Sequence, residues 1–169
     1  APESGPAAII YTHSLLEGSM TFIKTQAEAF DRHCPIYVGA HRVEGIDLPA
    51  ARTFVVNGAW PLGVLYEALF RRWHYAPGLF QKLKKQDPGI VHTHFGTCGP
   101  AGMAIANALN IPLVVTFHGQ DATMNEEDAR KTRRGRDLLS NKVALIERTD
   151  MFIAVSNHIR DCLIEQDYP

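Results

Sequence analysis

The chain has 169 residues, of which 46% are hydrophobic and 21% charged, and its formal net charge is -1. That length suits one domain and allows a core to form without disulfides or a structural metal. Near-neutrality excludes the electrostatic footprint of a nucleic-acid-binding surface. The three cysteines, Cys34, Cys98 and Cys162, contain no CxxC pair, so neither a zinc ribbon nor a disulfide framework is indicated. A reduced, cytoplasmic setting follows.

No run of 18 apolar residues appears, so no membrane-spanning helix is predicted. The opening Ala1-Pro2-Glu3-Ser4-Gly5-Pro6 lacks the basic and apolar regions of a signal peptide. Residues 1–6 read as a disordered leader before a single domain over 7–169.

Short apolar runs alternate with longer helical patterns. Strands are predicted at Ala7–Thr12, Pro35–Ala40, Thr53–Asn57, Gly89–His94, Pro112–Phe117 and Met151–Ser156. Most are continuous apolar runs, which marks parallel strands covered on both faces. Helices are predicted at Ser19–His33, Pro61–Tyr75, Gly78–Gln86, Gly99–Leu109, Ala129–Glu147 and Asn157–Gln166. Strand–helix alternation implies right-handed crossovers and a Rossmann-like, doubly wound α/β sheet. Between the last two strands, Asp121–Asp137 is crowded with charge, acidic residues first and basic residues after. It reads as a solvated loop entering a helix, in the order the helix dipole favours.

Open parallel sheets bind ligands beyond the carboxyl ends of their strands. His13-Ser14 follow the first predicted strand, and the fourth ends His92-Thr93-His94 before Phe95-Gly96. The fifth ends Phe117-His118-Gly119 before Asp121, and the sixth ends Val155-Ser156 before Asn157. Hydrogen-bonding residues thus converge on one sheet edge. The stretch Gly96-Thr97-Cys98-Gly99-Pro100-Ala101-Gly102 has two readings. It is an anion site, where free N–H groups meet a helix start, or a tight turn with close helix–sheet packing. Neither a GxGxxG fingerprint nor a Walker A loop is present.

His92 and His94 share one side of a strand. A metal site with Asp121 or His118 is one reading. The preferred one has one histidine packed in the sheet and the other facing the cleft, with no metal bound. His118 sits at a rigid strand end, where a group that donates, accepts or titrates near neutral pH is well placed. Ser156 reads first as the N-cap of the last helix. The segment Trp60–Lys85 mixes aromatic and basic residues. It is either an amphipathic helix pair with a packed face or a peripheral contact for an anionic membrane.

Three motifs carry a family resemblance. They are Ile90-Val91-His92-Thr93-His94-Phe95-Gly96, then Ile111–Thr123 containing His118-Gly119-Gln120-Asp121-Ala122-Thr123, and finally Asp150–Ser156. In order and spacing, Gly89–Pro169 resembles the second half of the N-terminal domain of glycosyltransferase family 4, retaining enzymes of GT-B architecture. The first half is similar through Ala8–Thr12 and the loop Glu17-Gly18-Ser19. The His-Gly-x-Asp-Ala-Thr form is similar to transferases of exopolysaccharide or lipopolysaccharide biosynthesis.

The resemblance implies one half of a two-domain enzyme, with a C-terminal, donor-binding GT-B domain as partner. That domain would carry most nucleotide-sugar contacts and a Glu-x7-Glu motif, which this sequence lacks. The implied reaction moves a hexose from a nucleotide-diphosphate sugar to a hydroxyl of a saccharide or lipid-linked acceptor, without a cofactor. The isolated domain would be inactive. By the same resemblance His118 is the catalytic residue, facing the donor sugar. Gly18 would approach the donor phosphates, while His13, His94, Gly96, Gly119, Asp121 and Ser156 would line the substrate cleft. Many members carry two adjacent glycines in the first loop, whereas Gly18 stands alone here. Three other functions stay open. They are a stand-alone sugar- or phosphate-binding module, half of another GT-B-type sugar-nucleotide enzyme such as an epimerase, and a metal-dependent hydrolase built on His92 and His94.

Overall fold

The computed structural model describes residues 5–58 and 62–169. In chain order the elements are β1 (Ala7–Leu15), α1 (Thr21–Glu28), β2 (Cys34–Arg42), β3 (Thr53–Val55), α2 (Gly63–Trp73) and α3 (Pro77–Lys84). They continue with β4 (Pro88–His94), α4 (Gly99–Leu109), β5 (Leu113–Phe117) and α5 (Gln120–Thr123). The last are α6 (Glu126–Lys131), α7 (Arg133–Arg148), β6 (Met151–Ala154) and α8 (Asn157–Glu165). Of the leader expected over 1–6, residues 1–4 lie outside the described residues. Pro6 already serves the sheet, its carbonyl accepting the Cys34 N–H at 3.2 Å. Trp60 and Pro61, expected to open the aromatic segment and its helix, also lie outside.

Six parallel strands form one sheet in the order β3-β2-β1-β4-β5-β6. This is a Rossmann-like α/β domain. Its strand order reverses between β1 and β4, where such sheets leave a crevice. β1 is buried at all nine residues, which explains its unbroken apolar run. Alternate residues feed two cores. Ile9 and Tyr11 join the larger cluster with Phe70, Leu79, Leu83 and Leu145 from α2, α3 and α7. Ile10 joins Ile23, Ala27 and Tyr37 beneath α1, where Leu15 at the strand's end also packs.

Several boundaries differ from the sequence reading. β1 runs on to Leu15, because Ser14 and Leu15 pair with His41 and Arg42 of β2. His13 and Ser14 therefore lie within the strand. The helix expected over Ser19–His33 is a 3-10 turn at Gly18–Met20 followed by α1, which stops at Glu28. The single helix expected over Ala129–Glu147 is two. Thr132 is extended (φ -106°, ψ 152°) and its hydroxyl accepts the Gly135 N–H at 3.0 Å, capping α7. The charge order falls on α6, with Glu126, Glu127 and Asp128 in its first turn and Arg130 and Lys131 in its last. Both suit the helix dipole.

Candidate functional site

The site forms where β1, β4 and β5 end. His94 closes β4, and His118 is the first residue beyond β5. In-register pairing of β4 with β5 sets His94 opposite Thr116. His94 Nδ1 then lies 3.0 Å from His118 Nε2, with the rings stacked at 5.2 Å between centroids. Beneath them the His92 ring lies 4.3 Å from that of His94. His92 Nε2 is 2.7 Å from the Thr116 hydroxyl.

Three histidines in one stack cannot all carry charge. Burial, reinforced by the His118 charge, lowers the His92 pKa to about 4. Burial, then His92 and His118, lowers that of His94 to about 2. Burial also lowers His118, with Asp121 partly opposing it. All three imidazoles are therefore neutral at pH 7. A neutral His94–His118 pair shares a single proton across the 3.0 Å contact. Its position decides whether His118 Nδ1 donates or accepts a hydrogen bond.

Asp121 holds this corner. Its carboxylate accepts backbone N–H groups from Gly96 (2.7 Å), Gly119 (2.9 Å) and His118 (3.1 Å). One side chain thereby ties the loop after β4 to the loop after β5. The Gly96–Gly102 stretch is accounted for by packing together with this carboxylate. An added Cβ would lie 2.0 Å from Phe117 Cε1 at Gly96, 2.6 Å from Leu145 Cδ2 at Gly99 and 2.0 Å from Thr93 Cγ2 at Gly102. The Gly96 N–H points at Asp121. Of the two readings of this stretch, close helix–sheet packing is the one the geometry shows.

His13 bridges the crevice between β1 and β4. Its Nε2 lies 3.1 Å from the Thr97 carbonyl and its Nδ1 lies 3.1 Å from the Tyr11 hydroxyl. A carbonyl only accepts, so Nε2 carries the proton and Nδ1 accepts from Tyr11. Burial and the nearby Arg134 lower its pKa to about 4. Both ring nitrogens are thus engaged within the protein.

Gly18 is exposed at the start of its 3-10 turn, and an added Cβ there meets nothing within 4 Å. Neither packing nor backbone conformation demands a glycine. Ser156 caps α8, its hydroxyl accepting the Ile159 N–H at 3.2 Å. It lines a separate recess with Phe152, Asn157 and Arg160, which none of the histidines above reaches.

Two residues beyond the expected set belong to the cluster. Phe22, 43% exposed on the first turn of α1, sets its ring 5.0 Å from His118. Phe95 sets its ring 4.8 Å from His118 and adopts φ 72°. That conformation is strained for a bulky residue. It is held by the Phe95 N–H donating to the Thr116 carbonyl at 2.8 Å. Phe95 was legible as the neighbour of His94 and Gly96. Phe22, far away in sequence, carried no local signal. Among the described residues no group of three or more His, Cys, Asp or Glu side chains converges on a metal position. No helix among them is long and apolar enough to cross a membrane.

This is a Rossmann-like α/β sheet with paired histidines at the carboxyl ends of the adjacent strands β4 and β5, the edge at which open parallel sheets bind their ligands. The sequence profile of Glycosyltransferase Family 4 matches residues 16–169. The chain belongs to that family. A comparison with curated proteins finds no significant match.

Proposed function

We propose that this chain is the acceptor-side domain of a retaining glycosyltransferase. It would move a hexosyl group from a nucleotide-diphosphate sugar to a hydroxyl of a saccharide or lipid-linked acceptor, of the kind used in exopolysaccharide or lipopolysaccharide biosynthesis. A donor-binding second domain completes the site, and this domain alone is inactive. The observation that carries the reading is His118. It is held at a strand end by His94 and Asp121, with its ring flanked by Phe22 and Phe95.

In this reading the bond from the sugar's anomeric carbon to the departing nucleoside diphosphate breaks as the acceptor oxygen attacks from the same face, its proton passing to the leaving phosphate oxygen. The transition state has oxocarbenium character, so catalysis rests on positioning and on stabilising charge. His118 contacts a donor-sugar hydroxyl through Nδ1. As a neutral ring it orients the sugar without adding a positive charge beside a developing cation. Gly18 lets the first loop approach the phosphates. The aromatic and basic α2–α3 segment faces the membrane where a lipid-linked acceptor would reside, on the cytoplasmic side.

The test is sugar transfer by the enzyme containing this domain and its second domain. His118→Ala should cut turnover by roughly 100-fold or more while the melting temperature is kept. Near-normal turnover removes His118 from the site. Calorimetry adds a second arm. Nucleotide-sugar binding as tight by this chain as by the two-domain enzyme would favour a stand-alone binding module.

A further inference from the structure

A cavity of about 1050 Å³ opens along the free edge of β3, between that strand and the helices α2 and α3. It lies four strands away from His118 and belongs to no part of the histidine cluster. Its volume reaches the upper end of ligand pockets, roughly 300–1,000 Å³. Val56, Tyr66, Leu69, Trp73 and Leu79 give it an apolar and aromatic wall. Trp73 and Tyr66 remain 62% and 48% exposed, so much of this apolar surface has no cover within the described residues. Such a patch on a folded domain marks a binding surface.

The charge at the cavity identifies its occupant. The charged lining residues are Arg42, at the carboxyl end of β2, and Lys82 on α3. Both are cationic, and neither forms an ion pair among the described residues. Among the described residues no acidic side chain lines the wall. The nearest acid on α2, Glu67, is turned away to His41 (3.1 Å), Asn57 (3.0 Å) and Arg71 (3.4 Å). An apolar trough with unpaired cations fits one anionic amphiphile, its aliphatic chain in the trough and its headgroup at the cationic rim that Arg42 and Lys82 supply. Arg42 ends β2 on the same sheet edge at which His94 ends β4, so the headgroup lies along the edge where the transfer site sits.

From this arrangement we infer that the groove binds the aliphatic tail of a lipid acceptor that carries a phosphate-type headgroup. The inference rests on the transferase reading only in calling that amphiphile an acceptor. It selects the lipid-linked acceptor over a water-soluble saccharide.

The experiment is calorimetric titration of the chain with dodecyl phosphate below its micelle concentration. Decyl phosphate, dodecyltrimethylammonium and phosphatidylglycerol vesicles serve as comparisons. One-to-one saturable binding of dodecyl phosphate is expected. Decyl phosphate, two methylenes shorter, should bind roughly 15-fold more weakly, since each buried methylene contributes about fourfold. The ammonium amphiphile should also bind about tenfold more weakly, because the rim repels its head. Gly78→Phe fills the groove from α3, where an added Cβ meets nothing within 4 Å. It should weaken dodecyl phosphate binding by about tenfold or more with the melting temperature kept. Arg42→Gln with Lys82→Gln should erase the preference for phosphate over ammonium. Equal affinity for both headgroups, or binding untouched by Gly78→Phe, overturns the inference. Vesicle binding that Gly78→Phe leaves intact, without saturable binding of dodecyl phosphate, does the same and makes the segment a surface adsorber. No sugar transfer enters this assay. Groove binding by this chain, with no sugar transfer by the two-domain enzyme, would keep the amphiphile site and remove the enzymatic reading, and transfer without groove binding would do the opposite.

Discussion

His94 Nδ1 lies 3.0 Å from His118 Nε2, so a buried residue at the end of β4 holds the partly buried ring just beyond β5. His94 is itself 1% exposed and packed on His92, which leaves it no freedom to turn away. Replacing His94 with Ala releases His118 Nε2 and opens space under its ring. In the two-domain enzyme the variant should lose turnover by about 100-fold, the scale of a misplacement of about 1 Å. The chain alone offers an independent readout, because the His118 ring-nitrogen shifts in NMR report its tautomer. A shifted tautomer balance in His94→Ala is expected, whereas unchanged shifts together with unchanged turnover would make His94 a packing residue only.

Asp121 fixes the same corner from the other side. Three backbone N–H groups converge on its carboxylate, and an amide at this position offers one acceptor oxygen in place of two. Asp121→Asn should destabilise the domain by about 1–3 kcal/mol, the usual cost of leaving buried donors unpaired. It should also loosen His118. Urea unfolding measures the first effect, and hydrogen exchange at the Gly96 and Gly119 amides measures the second. Protection that survives in Asp121→Asn would show that the loops are held by other contacts.

Two glycines separate folding from ligand approach. Gly96→Ala would drive a Cβ to 2.0 Å from the Phe117 ring, so a loss of about 1–3 kcal/mol is expected. Gly18→Ala meets nothing within 4 Å and should leave the melting temperature unchanged. If Gly18 lies against the donor phosphates, its alanine variant in the two-domain enzyme should raise the KM for the nucleotide sugar while stability stays fixed. An unaltered KM would return Gly18 to an ordinary turn residue.

The sheet was legible because parallel strands are buried on both faces, and this leaves continuous apolar runs such as Ile9–Tyr11 and Leu113–Val115 in the sequence. Strand ends were less legible. His13 and Ser14 are polar, yet tertiary partners satisfy them inside β1, and no local pattern announces those partners. The break at Thr132 was written in plain capping chemistry, Thr132 followed by Gly135, but the dense charge on both sides masked it. His118, His94 and Asp121 stood out because they fall at or just beyond strand ends. Their division of labour did not, since Asp121's three backbone contacts and the His94–His118 contact depend on strand register. Phe22 reaches His118 only through the packing of α1.

The buried histidines make the fold sensitive to acid. His13 and His92 titrate at about 4 in the folded chain and His94 at about 2, each lowered first by burial. In the unfolded chain each returns to the ordinary histidine value of about 6.5. Between those limits the unfolded state binds more protons, so stability rises with pH and is complete above about 6.5. It is lost as pH falls from about 6.5 toward 4, on the order of 1.4 kcal/mol per pH unit for each histidine. Urea unfolding at pH 7 and pH 5 should show the midpoint falling steeply, with proton uptake accompanying unfolding. His92→Gln lowers the starting stability but removes one titrating group, so its slope against pH should be shallower by about one proton. A midpoint that stays flat between pH 7 and pH 4.5 would mean that these imidazoles are solvated or already charged in the folded chain. The neutral His94–His118 pair, and the hydrogen-bonding role assigned to it, would then have to be abandoned.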